Sequence, residues 1–249
     1  MLSLPGGCTL IELHSVDSTN DEARDRAQNG AADGTVVWAR EQTAGRGRRG
    51  RDWSSPIGNL YTSTIFQPDR PPGEAAQLSL VAAVALAEAL EAVLPSKAEV
   101  VCKWPNDILV DGQKIAGILL EAQGNGDAVH WIVIGCGVNV ASHPETAAYP
   151  ATGVNMECGE NIALETVLER YLNRLFIWRD WWLNSGIKPV RRAWINRAAG
   201  LGGPITVRLP DRELSGRFSD MDEDGALLLE LPDGVQQRIT AGDVFLGSA

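Results

Sequence analysis

Residues 40–51 hold five arginines against one acid, a local net charge of +4, inside a chain whose 22 Lys and Arg face 32 Asp and Glu (22 − 32 = −10). The centre of that run, "TAGRGRRGRDW" at 43–53, interleaves glycine with arginine and ends on Trp53. Glycine lets a backbone close on an anion, and guanidinium forks match phosphate or carboxylate oxygens two at a time. Such a loop is either a clamp on a small anionic ligand or a basic tract that touches nucleic acid. A sequence pI near 4.8 disfavours the second reading without excluding a local anion site. The loop lacks the Gly-Lys-Ser/Thr ending of a P-loop, and no helix pattern follows it as a Rossmann fingerprint requires.

Three further stretches carry residue types that suit a site wall. In "KWPND" (103–107) the Trp-Pro pair forces an extended or turning backbone, flanked by Lys103, Asn106 and Asp107. In "DGQKIAGILLE", Lys114 stands just past a tight turn, with small Ala116 and Gly117 after it. A lysine there supplies a point charge for a carboxylate or phosphoryl oxygen. In "GCGVN" (135–139), Gly135 and Gly137 leave room for a ligand and Asn139 offers a hydrogen-bonding amide. Each stretch alone also has a plain reading, as a strand end, a solvated lysine or strand glycines.

The elements that must position these residues follow from periodicity. Thr19 and Glu22 have capping-box spacing for a helix that Asn29-Gly30 ends in a left-handed turn. Strands are predicted at 35–40 and 59–66, on either side of the arginine-glycine loop, and a helix over 74–94. "EVVCKW" leads to two apolar runs joined at Asp111-Gly112, a hairpin signal, and 128–140 extends the strand-rich block. Helices are predicted over 161–183 and 188–199, after which "GLGGP" marks a boundary. Beyond it, turns at Asp224-Gly225 and Asp233-Gly234 punctuate short strands, the pattern of a small β-barrel. The order is not a regular βαβ alternation, so the class is α+β, with one domain over 1–200 and a second over 201–249.

Cys8, Cys102, Cys136 and Cys158 are scattered, and with His14, His130 and His143 they supply no metal-ligand spacing, so no metal site and free thiols in a reducing cytosol are expected. The opening "MLSLPGGCTL" lacks the basic and apolar regions of a signal peptide. The apolar run at 78–87 is about half of the ~20 residues that span a bilayer, and reads as core. A cytoplasmic protein without membrane contact is expected.

Taken in order, "STN" (18–20), "QTAGRGRRGR", "KWPND", "KIAGILLE" and "IGCGVN" resemble the biotin protein ligases from residue 18 to the tail. The ordered set is specific where each motif alone is weak. The resemblance implies a mixed-sheet catalytic domain flanked by helices, like that of class II aminoacyl-tRNA synthetases, with an SH3-like C-terminal barrel. It implies ATP with Mg2+, biotin as substrate, and an apo biotin carboxyl carrier protein as acceptor. Ser18, Thr19, Asn20, Gln42, Gly45, Arg46, Gly117, Gly135 and Gly137 would line the biotin side. Arg46, Arg48, Arg49, Arg51, Trp53, Lys103, Asn106, Lys114 and Asn139 would hold ATP or the adenylate. Lys114 and Arg48 would stabilise the transition state, and Asp107 would help the acceptor lysine lose its proton.

Bifunctional members carry a helix-turn-helix before "STN", and only 17 residues precede it here, so no nucleic-acid partner is expected. A homodimer is compatible with the resemblance. Lipoate ligases and octanoyltransferases share the fold without the arginine-glycine loop together with "KWPND", and form the alternative reading.

Overall fold

Alternating burial along the strands assigns each residue to one side of a sheet, and the helices follow from that. The structure, a computed structural model, describes residues 2–144 and 150–247. Strands β1 (Thr9–Val16), β2 (Thr35–Gln42), β3 (Leu60–Phe66), β4 (Val100–Lys103), β5 (Asp107–Val110), β6 (Gln113–Gly124) and β7 (Val129–Val138) form one sheet, ordered β1-β2-β3-β7-β6-β5-β4. β1 and β2 are parallel and the remaining neighbours antiparallel, so the sheet is mixed.

On one face, Val37, Ile65, Trp131 and Val133 pack against Ala23 and Ala27 of α1 (Thr19–Gln28). On the other, Val36, Trp38, Phe66, Ile132 and Ile134 join a larger core with α3 (Leu78–Glu91), α5 (Leu164–Ser185) and α6 (Ile187–Ile195). Burial of such side chains stabilises by about 1.5–3 kcal/mol each, which is what fixes the sheet between its helices.

Several elements differ from expectation. β1 carries no strong strand signal, because only one of its edges is paired and most of its side chains are exposed or half-buried. The helix expected over 74–94 begins as the short α2 (Pro72–Ala75) and continues through helical Ala76 and Gln77 into α3. By length and composition the stretch Pro72–Glu91 could cross a membrane, yet most of it is buried within the protein. The capping box does not form. Ser18 is the N-cap, with no side-chain cap bond, and the Thr19 hydroxyl is drawn instead to Gln42. At the other end, Gly30 adopts φ +84°, as the Asn-Gly signal requires.

Asp111 and Gly112, at φ 47° and 79°, make the tight turn between β5 and β6. A short helix not foreseen, α4 (Val154–Cys158), precedes α5. α6 stops at Ile195 because the chain after it pairs with β4: Cys102 N donates to Arg197 O (2.7 Å) and Ala199 N to Cys102 O (2.9 Å).

The C-terminal strands β8 (Pro204–Arg208), β9 (Glu213–Met221), β10 (Leu227–Glu230), β11 (Gln236–Ile239) and β12 (Asp243–Leu246) make a separate antiparallel sheet in the order β11-β10-β9-β8-β12. It is seated beside the β4–β5 turn, where Trp104 Nε1 donates to Gly225 O (3.1 Å), and against α6, whose Arg191 Nε donates to Met221 O (2.6 Å). This seating brings β12 to the edge of a cavity.

Candidate active site

Beyond the N-terminus of α1, the face of the sheet that this helix covers runs out of side chains. Gly117 on β6 and Gly137 on β7 are directly opposite each other, and Gly135 is the next residue on that face of β7. A Cβ at Gly137 would sit 2.6 Å from Trp53 Nε1, and one at Gly117 3.3 Å from the same ring. A Cβ at Gly135 would sit 2.8 Å from Asn20 Cγ. These glycines were expected to make room for a ligand. They make room for Trp53 and Asn20, which in turn line the cavity. Among the described residues, the Trp53 Nε1 itself is buried without a partner.

The cavity measures about 600 Å3 and has two chemically different ends. The end beside α1 is neutral. Thr19 N and Thr19 Oγ1 both donate to Gln42 Oε1 (2.8 and 3.0 Å), and Gln42 Nε2 donates to Ser55 Oγ (2.9 Å), which donates to Trp53 O (2.8 Å). Ser63 Oγ lies 2.8 Å from Thr19 Oγ1 and 2.6 Å from Asn20 Oδ1, with one proton to share between them. Asn20 Nδ2 donates to Glu121 Oε2 (3.0 Å). Ser18, Thr19 and Asn20 are all buried. A line of hydroxyls and amides thus joins the base of the arginine-glycine loop to the sheet.

Arg46 closes this end. Its guanidinium donates to both carboxylate oxygens of Asp21 and to Glu121 Oε1 (3.1 Å). The Arg46 hydrogen bond holds the Asp21 carboxyl below its ordinary value of 3.8, against the effect of burial. With two acids on it, Arg46 is pinned as a wall at the neutral end, although the resemblance had placed it near the ligand's anionic groups as well.

The far end is cationic. The hairpin of β4 and β5 sets Lys103 opposite Asp107, and a register shift between Ile108 and Leu109 turns β6 so that Lys114 meets the same carboxylate. Lys114 Nζ is 2.6 Å from Asp107 Oδ1 and Lys103 Nζ 3.7 Å from Asp107 Oδ2. Burial pushes the Lys103 ammonium below its ordinary value of 10.5, an effect that Asp107 opposes and Lys114 reinforces. Lys114 also stands 5.4 Å from the Trp53 ring centroid.

Arg48 donates to Asn106 Oδ1 (3.2 Å) and Gly242 O (3.3 Å), and burial lowers its affinity for its proton. Asn106 Nδ2 is spent on Ile118 O (2.7 Å), and Asn139 Nδ2 on Thr152 O (3.1 Å). Asn139 therefore braces the 150–152 segment against the start of β6 while lining the cavity.

Of the residues the sequence pointed to, all line this cavity except Gly45 and Arg49. Gly45 is structural: its carbonyl accepts from Trp53 N (2.9 Å), and a Cβ there would meet Trp53 O at 2.6 Å. Arg49 turns to Asp243, which also binds Arg51. Asp21, Ser55, Ser63, Glu121, Thr152 and Asp243 were missed. Glu121 ends a quoted motif and was within reach of the sequence, whereas Asp243 is one acid among nine in the tail. Among the described residues no three His, Cys, Asp or Glu side chains gather as a metal cage.

Asp243 is the buried counter-charge for two arginines of the loop, so Asp243→Ala leaves Arg48, Arg49 and Arg51 repelling one another. Loss of about 1 kcal/mol of such pairing corresponds to roughly fivefold more open loop. Trypsin is expected to cut within 46–51 about fivefold faster in that variant, monitored by peptide mass; an unchanged rate would show that Asp243 does not hold the loop.

Known proteins resemble this chain over most of its length. Residues 12–139 match the Biotin/lipoate A/B protein ligase family, and residues 200–247 match the biotin protein ligase C terminal domain. A biotin–[acetyl-CoA-carboxylase] ligase of Paracoccus denitrificans is 42% identical over 94% of this chain and 99% of its own length. The bifunctional ligase/repressor BirA of Escherichia coli is 35% identical over 99% of this chain and 76% of its own. The solved biotin protein ligase from Aquifex aeolicus in complex with biotin and ATP superposes with a TM-score of 0.84 at 26% identity, covering 96% of this chain and 99% of that one.

Proposed function

Because the chain belongs to the Biotin/lipoate A/B protein ligase family, we infer from its two-ended cavity that it is a biotin protein ligase. The reaction joins biotin to ATP as biotinyl-5′-adenylate, releases pyrophosphate, and passes the biotinyl group to a lysine of a biotin carboxyl carrier protein. The observation that carries this reading is the succession of a buried hydroxyl-amide end and a cationic end within one cavity of about 600 Å3. A cyclic urea needs donors and acceptors such as Thr19, Asn20 and Gln42. The dithiolane of lipoate offers none, and would leave those groups unpaired at a cost of about 1–3 kcal/mol each. The lipoate alternative is not favoured.

In the first step the biotin carboxylate attacks the α-phosphorus of ATP, and the bond to pyrophosphate breaks. Two anions are pressed together, so cations must neutralise both. Lys114 and Arg48 are assigned that role, with Arg51 and Lys103 adding field and Trp53 giving an apolar surface to the adenine. Mg2+ enters on the ATP phosphates as part of the substrate.

In the second step an acceptor lysine attacks the acyl carbon and AMP leaves. Asp107 takes the proton as the acceptor lysine enters. The arginine-glycine loop shields the anhydride from water. With Arg46, Arg49 and Arg51 already paired to carboxylates of this chain, the loop suits a small adenylate better than a nucleic acid. Free thiols support a cytoplasmic site of action.

The test is transfer of labelled biotin to an apo carrier domain with and without ATP, repeated against excess lipoate. ATP-dependent labelling that lipoate does not suppress is expected. Its absence in the native protein would overturn the assignment.

A further inference from the structure

The activated product of this cavity is an acyl phosphate anhydride, which reacts with any free amine in reach. Two amines line the cavity itself, those of Lys103 and Lys114. An enzyme that holds such a product beside two lysines acylates itself unless both are kept as ammonium ions, because only the free amine has a lone pair to attack with. The danger is greater at Lys103, which is only 7% exposed. Burial and the neighbouring Lys114 both favour its uncharged form.

Among the described residues, Asp107 is the carboxylate that ion-pairs with both amines, while Asp243 of β12 adds attraction for the Lys103 charge. Asp107 presents Oδ1 to Lys114 at 2.6 Å and Oδ2 to Lys103 at 3.7 Å. The hairpin register places it opposite Lys103, and the irregularity in the β5–β6 pairing brings Lys114 to its other side.

We propose that Asp107 guards the active-site lysines, engaging Lys103 and Lys114 in ion pairs so that neither takes the biotinyl group from biotinyl-5′-adenylate before the carrier protein does. This rests on the ligase reading above. The reaction it suppresses is balanced: the lysine ammonium gives a proton to solvent, its nitrogen forms an amide with the acyl carbon, and the C–O bond to phosphate breaks. AMP departs with the electron pair, and the amide nitrogen releases a second proton.

The composition makes the test clean. The chain has 18 arginines but only four lysines, Lys97, Lys103, Lys114 and Lys188. Lys97 and Lys188 are exposed, so they report adenylate that has leaked into solvent. Native protein and the Asp107→Asn variant are each mixed with chemically prepared biotinyl-5′-adenylate without acceptor, and acylation of the four lysines is mapped by peptide mass. Supplying the adenylate removes any dependence on the variant's own first step.

The expected result is at least a tenfold rise in acylation of Lys103 plus Lys114 relative to Lys97 plus Lys188. Tenfold is the increase in free amine for each unit by which a lysine's pKa falls. Lys103→Arg or Lys114→Arg in the Asp107→Asn background is expected to abolish the part due to that lysine, since guanidinium does not acylate. Asp107→Glu, which keeps the charge, is expected to stay protected, and Asp107→Ser replaces the asparagine variant if the latter fails to fold. An unchanged ratio in a folded, adenylate-binding Asp107→Asn protein overturns the guard role. Failure of the native protein to bind the adenylate at all instead overturns the ligase reading.

Discussion

Lys114→Met is expected to lower the rate of adenylate formation by about three powers of ten while leaving biotin affinity within a few-fold. The substitution keeps an unbranched apolar stem beside the glycine floor, where Lys114 Cε lies 3.7 Å from the position of a Cβ on Gly117. What it removes is the positive charge that the proposed mechanism places at the meeting point of carboxylate and α-phosphate. A unit pair about 4 Å apart at an effective dielectric of ~20 interacts by about 4 kcal/mol. If that interaction is realised as the two anions close on each other, it is worth about 10^3 in rate. In the proposed assignment, biotin is held at the other end of the cavity, by groups that do not touch Lys114. Single-turnover formation of adenylate, with biotin binding measured separately by calorimetry, checks both halves. A variant with native single-turnover rate would remove Lys114 from the chemistry; one that loses biotin binding in proportion would make it a binding residue instead.

Gly135→Ala is expected to produce the opposite split, with biotin KM raised about ten- to a hundredfold and ATP KM within twofold. The added methyl group would stand 2.8 Å from Asn20 Cγ, inside contact distance, and Asn20 has nowhere to retreat because it is buried. Displacing it separates Ser63 from Glu121 and leaves buried polar groups without partners, at a cost of about 1–3 kcal/mol. That range corresponds to the quoted change in affinity. Steady-state kinetics with each substrate varied in turn decides it. Equal increases in both constants would mean that the whole cavity has collapsed, and no change would mean that Asn20 is not needed for the biotin ring.

Much of this site was legible because its parts are local. Asp111-Gly112 demanded a turn, and that turn fixed Lys114 as the second residue of β6. The arginine-glycine loop announced anion chemistry through composition alone. What the sequence left open is which partner each charge would choose. Thr19 had the spacing of a helix cap, but its hydroxyl faces Gln42 at the end of β2, and the tertiary bond prevailed over the local one. Arg46 looked the same as Arg48 in the sequence. One is enclosed by Asp21 and Glu121, the other lies against Asn106 and the backbone of the C-terminal sheet, and only the fold separates them. β1 was hidden for a different reason: a strand paired along one edge need not show strong alternation.

The floor formed by Gly117 and Gly137 also bears on how the enzyme can change over generations. A pocket walled by side chains can be widened by a single trimming substitution, but a floor made of main chain has nothing left to trim. Every point mutation at these two positions adds atoms, and every addition encroaches on the Trp53 ring. Evolution, natural or in the laboratory, can therefore narrow the range of accepted acids at the floor but cannot broaden it there. A search for variants that take bulkier biotin analogues is better aimed at the walls, where Leu119, on the same face of β6 as Gly117, still has carbon to lose.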